Sequence, residues 1–228
     1  MNAPDFGSPV FAAWRAAAPE WQAYTRHQFV QGLGDGSLPR ESFLHYLVQD
    51  YVFLVHFARA WALGVTKAAS MEEMRACSAT VHGLVDHEMR LHVQICAAAG
   101  ISEPELEVAT EAAENLAYTR YVLEAGYSGD FLDLIAALAP CVMGYGEIGT
   151  RLAQEATSDT YGDWIGTYAG QDYQGVCQAV GVLIEGAVAR RLGPDPQATP
   201  RWEALAKRFA TATRLEVGFW DMGLRGHP

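Results

Sequence analysis

The segment from Gly129 to Arg151, GDFLDLIAALAPCVMGYGEIGTR, limits the possible folds more than any other stretch of this chain. It is apolar nearly all the way round and carries only Asp130, Asp133, Glu147 and Arg151 as charged residues. A run of this length could cross a bilayer. Asp133, Pro140 and Glu147 inside it, with glycines after the proline, argue against a membrane span. A helix without a polar face is otherwise the buried centre of a helical domain. Pro140 removes one backbone N–H and crowds the preceding turn, so a kink is expected there. Cys141 stands just past it, with Tyr145 four residues on, one turn later on the same face. A thiol so placed is either a small hydrophobe filling space or a nucleophile facing a cavity. Residue type alone favours packing, because free cysteine is among the most buried residues.

The remaining pattern supplies helices to surround that segment. Ser8-Pro9 reads as an N-cap followed by proline at the first helical position. Helix is expected over Val10–Ala18, with a break or bend at Pro19 and a resumption through about Val30. GLGDGSLP, Gly32 to Pro39, reads as a turn-rich loop. Long helices are expected over Glu41–Ala69 and Ser70–Ala99, then a short irregular link after Gly100. Further helices are expected from about Glu111 to Ala125, over Tyr161–Tyr168, from about Asp172 to Arg191 and over roughly Arg201–Leu224. GPDPQATP, Gly193 to Pro200, is a second clear breaker. There is no β-like alternation, repeat or linker. The expectation is an all-α bundle of seven or eight helices forming one domain over residues 1–228.

Charge and cysteine usage exclude several functions. The net charge of −11 repels phosphate backbones, and no Lys/Arg cluster provides a local exception, so a nucleic-acid partner is not expected. Cys77, Cys96, Cys141 and Cys177 lie far apart with no CxxC pair. That is no zinc pattern, and 228 residues need no disulfide to hold a core. With no basic-then-apolar leader visible in MNAPDFGSPVF, a cytoplasmic location is expected.

The informative residues are polar groups on apolar stripes. Tyr46, Asp50, Phe53 and Phe57 share one helical face, which puts a carboxylate among aromatics. Asp seldom buries without a partner, so Asp50 is either held by an internal donor or set to hold a ligand. Glu216, Phe219 and Trp220 repeat the arrangement on the last helix. Tyr118 and Tyr121 read as packing residues with hydroxyls at a rim. His82, His87 and His92 read as surface or packing residues, and Glu72, Glu73, Asp86, Glu88 and Arg90 as outer-face charges. Asp50, Cys141, Glu216 and tyrosines such as Tyr118, Tyr145 and Tyr168, walled by aromatics, suit a flat heteroaromatic ligand. A Glu in an apolar pocket can protonate a ring nitrogen, and a thiol can add to the ring carbon so activated.

Seven segments, in order, resemble the TenA family of thiaminase II and aminopyrimidine aminohydrolases. They are GLGDGSLP at 32–39, FLHYLVQDYVFLVHFARAWA at 43–62, EMRLH at 88–92, AYT at 117–119, LAPCVMGYGEIG at 138–149, WIGTYAG at 164–170 and EVGFWDM at 216–222. The resemblance implies a fold similar to haem oxygenase without haem, a homotetramer, and no metal or cofactor. It also implies hydrolysis of 4-amino-5-aminomethyl-2-methylpyrimidine to the hydroxymethyl pyrimidine and ammonia, with thiamine cleavage in many members. Carried over by position, Asp50 would hold the pyrimidine amine and the adjacent ring nitrogen. Cys141 would be the nucleophile and Glu216 the acid/base at the opposite ring nitrogen. Tyr145 and Tyr168 would orient the thiol and the departing group, while Tyr118 and Phe219 line the pocket. Some members have Tyr where this chain has Phe53, so stacking is kept there and a hydroxyl is lost.

Two other classes compete. A di-metal carboxylate oxidase would use His45, His56, Asp86, Glu88 and His92, although none of these forms a Glu-x-x-His pair. A regulatory or ligand-binding protein with a dead site is the non-enzyme alternative.

Overall fold

The computed structural model describes residues 4–226 and, among them, every side chain except that of His87, whose sequence reading therefore lies outside the described part. Helix α1 (Pro9–Ala17) starts as its cap predicts: Ser8 Oγ accepts from the Phe11 N–H, and Pro9 fills the first helical position. The next stretch divides where one helix was expected. It forms α2 (Trp21–Thr25) and α3 (Gln28–Asp35), and the second runs through Gly32 and Gly34 before Gly36, at φ 77°, ends it. The turn expected over the whole of GLGDGSLP is thus confined to its second half, and the left-handed position falls on a glycine, as it must.

Helix α4 (Arg40–Lys67) matches its expected span closely. The Ser70–Ala99 helix is instead α5 (Met71–Gly83), a π-helical turn at Leu84–Glu88, and α6 (Met89–Ala98). A short α7 (Glu103–Glu107), with a Ser102/Glu105 capping box, forms the link. Then come α8 (Ala113–Ser128), α9 (Phe131–Glu155), α10 (Gly162–Ala169), α11 (Gln171–Leu192) and α12 (Pro200–Arg225). No strand occurs among the described residues.

Helix α9 is the axis. Every residue from Phe131 to Gly149 is buried, and α4, α8, α10, α11 and α12 pack around it. It is long and apolar enough to cross a membrane, but 94% of its most apolar window is buried inside the protein. The chain stays helical through Pro140, whose carbonyl accepts from Tyr24 Oη at 3.3 Å. Its two buried carboxylates and the exposed Asp130 at its start all have partners. Asp130 caps the first turn, Asp133 binds Arg201 and Arg208, and Glu147 accepts from Trp21 Nε1 at 3.1 Å and Arg15 at 3.3 Å. Trp14, Trp61, Trp164 and Trp220 are fully buried around this axis. Each removes roughly 200 Å² from water, on the order of 5 kcal/mol of apolar burial. Glu73, expected on an outer face, is instead buried and held by Arg191 at 2.6 and 2.9 Å.

One close approach fixes α10 against α9. A Cβ on Gly149 would stand 2.4 Å from the Tyr168 carbonyl carbon and 2.7 Å from the Ala169 nitrogen. Backbone atoms cannot swing aside as a side-chain end can. Gly149→Ala is therefore expected to cost roughly 1–3 kcal/mol, read as a lower urea midpoint, and to displace the helix that carries Tyr168.

Candidate active site

The α4 stripe delivers Tyr46, Asp50 and Phe53 to the interior, as the spacing requires. Asp50 is 4% exposed and is a bonded carboxylate. Its Oδ2 accepts from Tyr46 Oη at 2.9 Å and faces His92 Nε2 at 2.6 Å. The other ring nitrogen, His92 Nδ1, lies 2.9 Å from the Glu88 carbonyl oxygen. A carbonyl only accepts, so Nδ1 carries a proton, and a carboxylate at 2.6 Å calls for a second proton on Nε2. Burial pulls the imidazole pKa down, but the Asp50 bond and charge, with Glu88, outweigh it and hold His92 above its ordinary value. His92 and Asp50 are thus an internal ion pair.

The remaining groups are joined to that pair by hydroxyls and rings. Tyr46 Oη receives Trp164 Nε1 at 3.3 Å and lies 3.3 Å from Tyr145 Oη. The Tyr145 and Tyr168 rings meet at 4.9 Å, and Tyr168 Oη donates to Glu88 Oε1 at 2.9 Å. From the opposite side, α12 presents Glu216, which is 2% exposed and accepts from Tyr118 Oη at 2.7 Å. The Cys141 thiol of α9 lies near the same carboxyl, the neighbouring charge that weighs most on it. Phe53 closes the circuit, with Tyr118 at 5.0 Å and Phe219 at 5.4 Å between ring centres. Asp50, Phe53, Tyr118, Cys141, Tyr145, Tyr168, Glu216 and Phe219, all named from the sequence, therefore form one connected constellation. Cys141 and Glu88 are in the wall of a cavity of about 920 Å³ that runs outward between α5, α6, α10 and α11.

Burial sets the protonation states. It pushes Glu216 up to about 8, against the Tyr118 and Cys141 bonds and with the help of the Asp50 charge. It pushes the Cys141 thiol well above its ordinary value, with the charges of Glu216, Glu88 and Asp50 adding to the effect. The resting site is a neutral thiol against a protonated carboxyl, a few residues from a carboxylate matched by its own cation. Such a pair can pass protons to and from a ring ligand without leaving a bare charge in the core.

Two residues of the constellation were misread from sequence. His92 is 1% exposed and is the partner of Asp50, while Glu88, read as an outer-face charge, points inward to Tyr168. The π turn at Leu84–Glu88 shifts the helix register, so a regular 3.6-residue projection misplaces Glu88. The available signal was their i, i+4 spacing, which puts both on one face. Of the pieces named for a di-metal centre, Glu88 and His92 meet at the site while His56 and Asp86 lie elsewhere. His56 lies by Arg120 and Glu111, Asp86 pairs with His82 on the surface, and no group of three or more candidate ligands among the described residues could hold a metal ion.

Removing Asp50 would leave the His92 imidazolium buried without its counter-charge. Asp50→Ala is expected to cost roughly 3–5 kcal/mol, or about 6–20 °C in Tm for a chain of this size, followed by circular dichroism. A loss under about 1 kcal/mol would contradict the ion pair.

The family model described as TENA/THI-4/PQQC matches residues 14–226. An aminopyrimidine aminohydrolase from Halalkalibacterium halodurans is 39% identical over 217 residues, covering 93% of this chain and 94% of its own. A crystal structure of a protein described as a TenA family transcription regulator, from Silicibacter sp. TM1040, is 62% identical with a TM-score of 0.95, covering 96% of this chain and 98% of its own. A Shewanella denitrificans domain with a haem oxygenase-like fold aligns at TM-score 0.72 and 12% identity, over 95% of this chain and 92% of its own; this likeness concerns the fold alone. The helical architecture, the connected constellation and a family match over nearly the whole length agree, and the chain belongs to the TENA/THI-4/PQQC family.

Proposed function

We propose that this chain hydrolyses 4-amino-5-aminomethyl-2-methylpyrimidine to the hydroxymethyl pyrimidine and ammonia, using Cys141 as nucleophile and Glu216 as acid/base. The chain is a hydrolase of thiamine metabolism by its kinship with aminopyrimidine aminohydrolases. The observation that carries the finer reading is the buried Cys141 thiol near Glu216, a carboxyl whose pKa burial lifts to about 8. A cytoplasmic homotetramer is part of the proposal, and four free thiols suit a reducing compartment.

In this mechanism the pyrimidine lies against the wall formed by Phe53, Tyr118 and Phe219, and its exocyclic amine donates to Asp50. Glu216 gives its proton to a ring nitrogen, making the neighbouring ring carbon electrophilic. Cys141 sulfur bonds to that carbon while its own proton passes to the Glu216 carboxylate. The side group reacts as an ammonium: electrons from the ring form an exocyclic C=C as the C–N bond breaks, and its electron pair leaves with neutral ammonia. Water adds to the methylene carbon and passes its proton to the released ammonia. The C–S bond breaks, sulfur recovers its proton from Glu216, and the ring-nitrogen proton returns to Glu216.

A ligand-binding regulator is the second reading, favoured by the description of the Silicibacter relative. Incubating the purified chain with the aminomethyl pyrimidine, beside thiamine, separates the two. Turnover of the amine supports the hydrolase, whereas saturable binding without ammonia release would favour the regulator.

A further inference from the structure

Glu88 is the one carboxyl of the constellation that the steps above leave without a task. It closes the π turn and shares the wall of the large cavity with Cys141. Three carboxyls serve this site; Asp50 has a cation, and Glu216 already has the acid/base task. Asp50 faces the His92 cation at 2.6 Å. Glu216 accepts from Tyr118 Oη at 2.7 Å. Glu88 accepts from Tyr168 Oη at 2.9 Å and from no cationic side chain among the described residues. Glu88 is half-buried at the cavity wall, and a carboxylate partly withdrawn from water without a counter-charge either holds its proton or receives a cation. Burial lifts Glu88 to about 7, with the His92 charge opposing and the Asp50 charge adding. At neutral pH an arriving cation is enough to turn it fully into a carboxylate.

We propose that Glu88, steadied by Tyr168, binds the cationic side group at the 5-position of the pyrimidine and so selects an ammonium over an uncharged substituent. The inference rests on the aminopyrimidine reading. Asp50 and Cys141 engage the ring, and Glu88 shares a cavity wall with Cys141, so a ring held at the thiol brings its substituent into the space that Glu88 borders. A primary alkylamine is an ammonium at neutral pH and offers three donors to a carboxylate. When the C–N bond breaks, the electron pair goes with nitrogen and the product is neutral ammonia. The charge attraction then disappears with the bond, so the same contact that selects the amine does not retain it.

The test is calorimetric titration of 5-aminomethyl and 5-hydroxymethyl pyrimidines into Cys141→Ala protein, with and without Glu88→Gln. Glutamine keeps the acceptor for Tyr168 and removes only the charge. Glu88→Gln is expected to weaken the aminomethyl ligand by about 10–100-fold, with a change below about 3-fold for the hydroxymethyl ligand. Equal weakening of both would show a merely structural role and overturn the inference, and so would no weakening of either. If the hydroxymethyl ligand binds Cys141→Ala but the aminomethyl ligand gains nothing from Glu88, the aminopyrimidine reading stands and the inference alone fails. If neither ligand binds, both fail together.

Discussion

Replacing Cys141 with alanine is expected to lower ammonia release by about 1,000-fold or more while the chain keeps its helical content. The effect is large because the thiol forms the bond that every later step consumes. The fold should tolerate the change, since Cys141 borders a cavity, and losing one sulfur there costs on the order of 1 kcal/mol. Serine is expected to fare almost as badly. Burial and three nearby carboxyl charges already hold the thiol neutral, and a hydroxyl in that field is harder still to ionise. Ammonia release within tenfold of wild type, in folded Cys141→Ala protein, would remove the nucleophile assignment.

Glu216→Gln is expected to lower kcat/KM by about 100- to 10,000-fold, and its pH behaviour identifies the cause. Glu216 is competent when protonated, and burial sets its pKa at about 8. Wild-type activity should therefore fall as pH rises through about 8, and this alkaline limb should vanish in the residual activity of Glu216→Gln. Stability carries the same sign. The folded state holds the proton more tightly than the unfolded state, so this group's contribution is fully present below the ordinary carboxyl range. It is then lost as pH rises towards about 8. Glutamine should flatten that decline in urea unfolding measured from pH 5 to 8.5. An unchanged alkaline limb would assign the titration to another group.

The parts of this structure legible in the sequence are those governed by local periodicity. The α9 segment had no polar face and became the buried axis, and the stripes of Asp50 with Phe53 and of Glu216 with Phe219 follow from a 3.6-residue repeat. What periodicity missed depends on partners distant in sequence or on a broken repeat. Glu73 is buried because Arg191 meets it from α11, and Glu88 turns inward because the π turn alters the register. The division of the N-terminal helix at Arg26–His27 has a similar cause. His27 Nδ1 accepts from the Phe29 N–H and caps a new helix, a role that residue type alone does not announce. His92 was set aside because a lone histidine on a helix carries no sign of its counter-ion. Its counter-ion, Asp50, is 42 residues away in sequence. Convergence of the thiol with two carboxyls was carried only by the ordered family motifs.

The central claim is hydrolysis at a thiol–carboxyl pair, and one time course tests it most directly. Purified wild-type chain is mixed with 4-amino-5-aminomethyl-2-methylpyrimidine, and ammonia and the hydroxymethyl pyrimidine are followed together. The mechanism predicts that both appear catalytically and in equal amounts. Folded, ligand-binding protein that releases neither would contradict it.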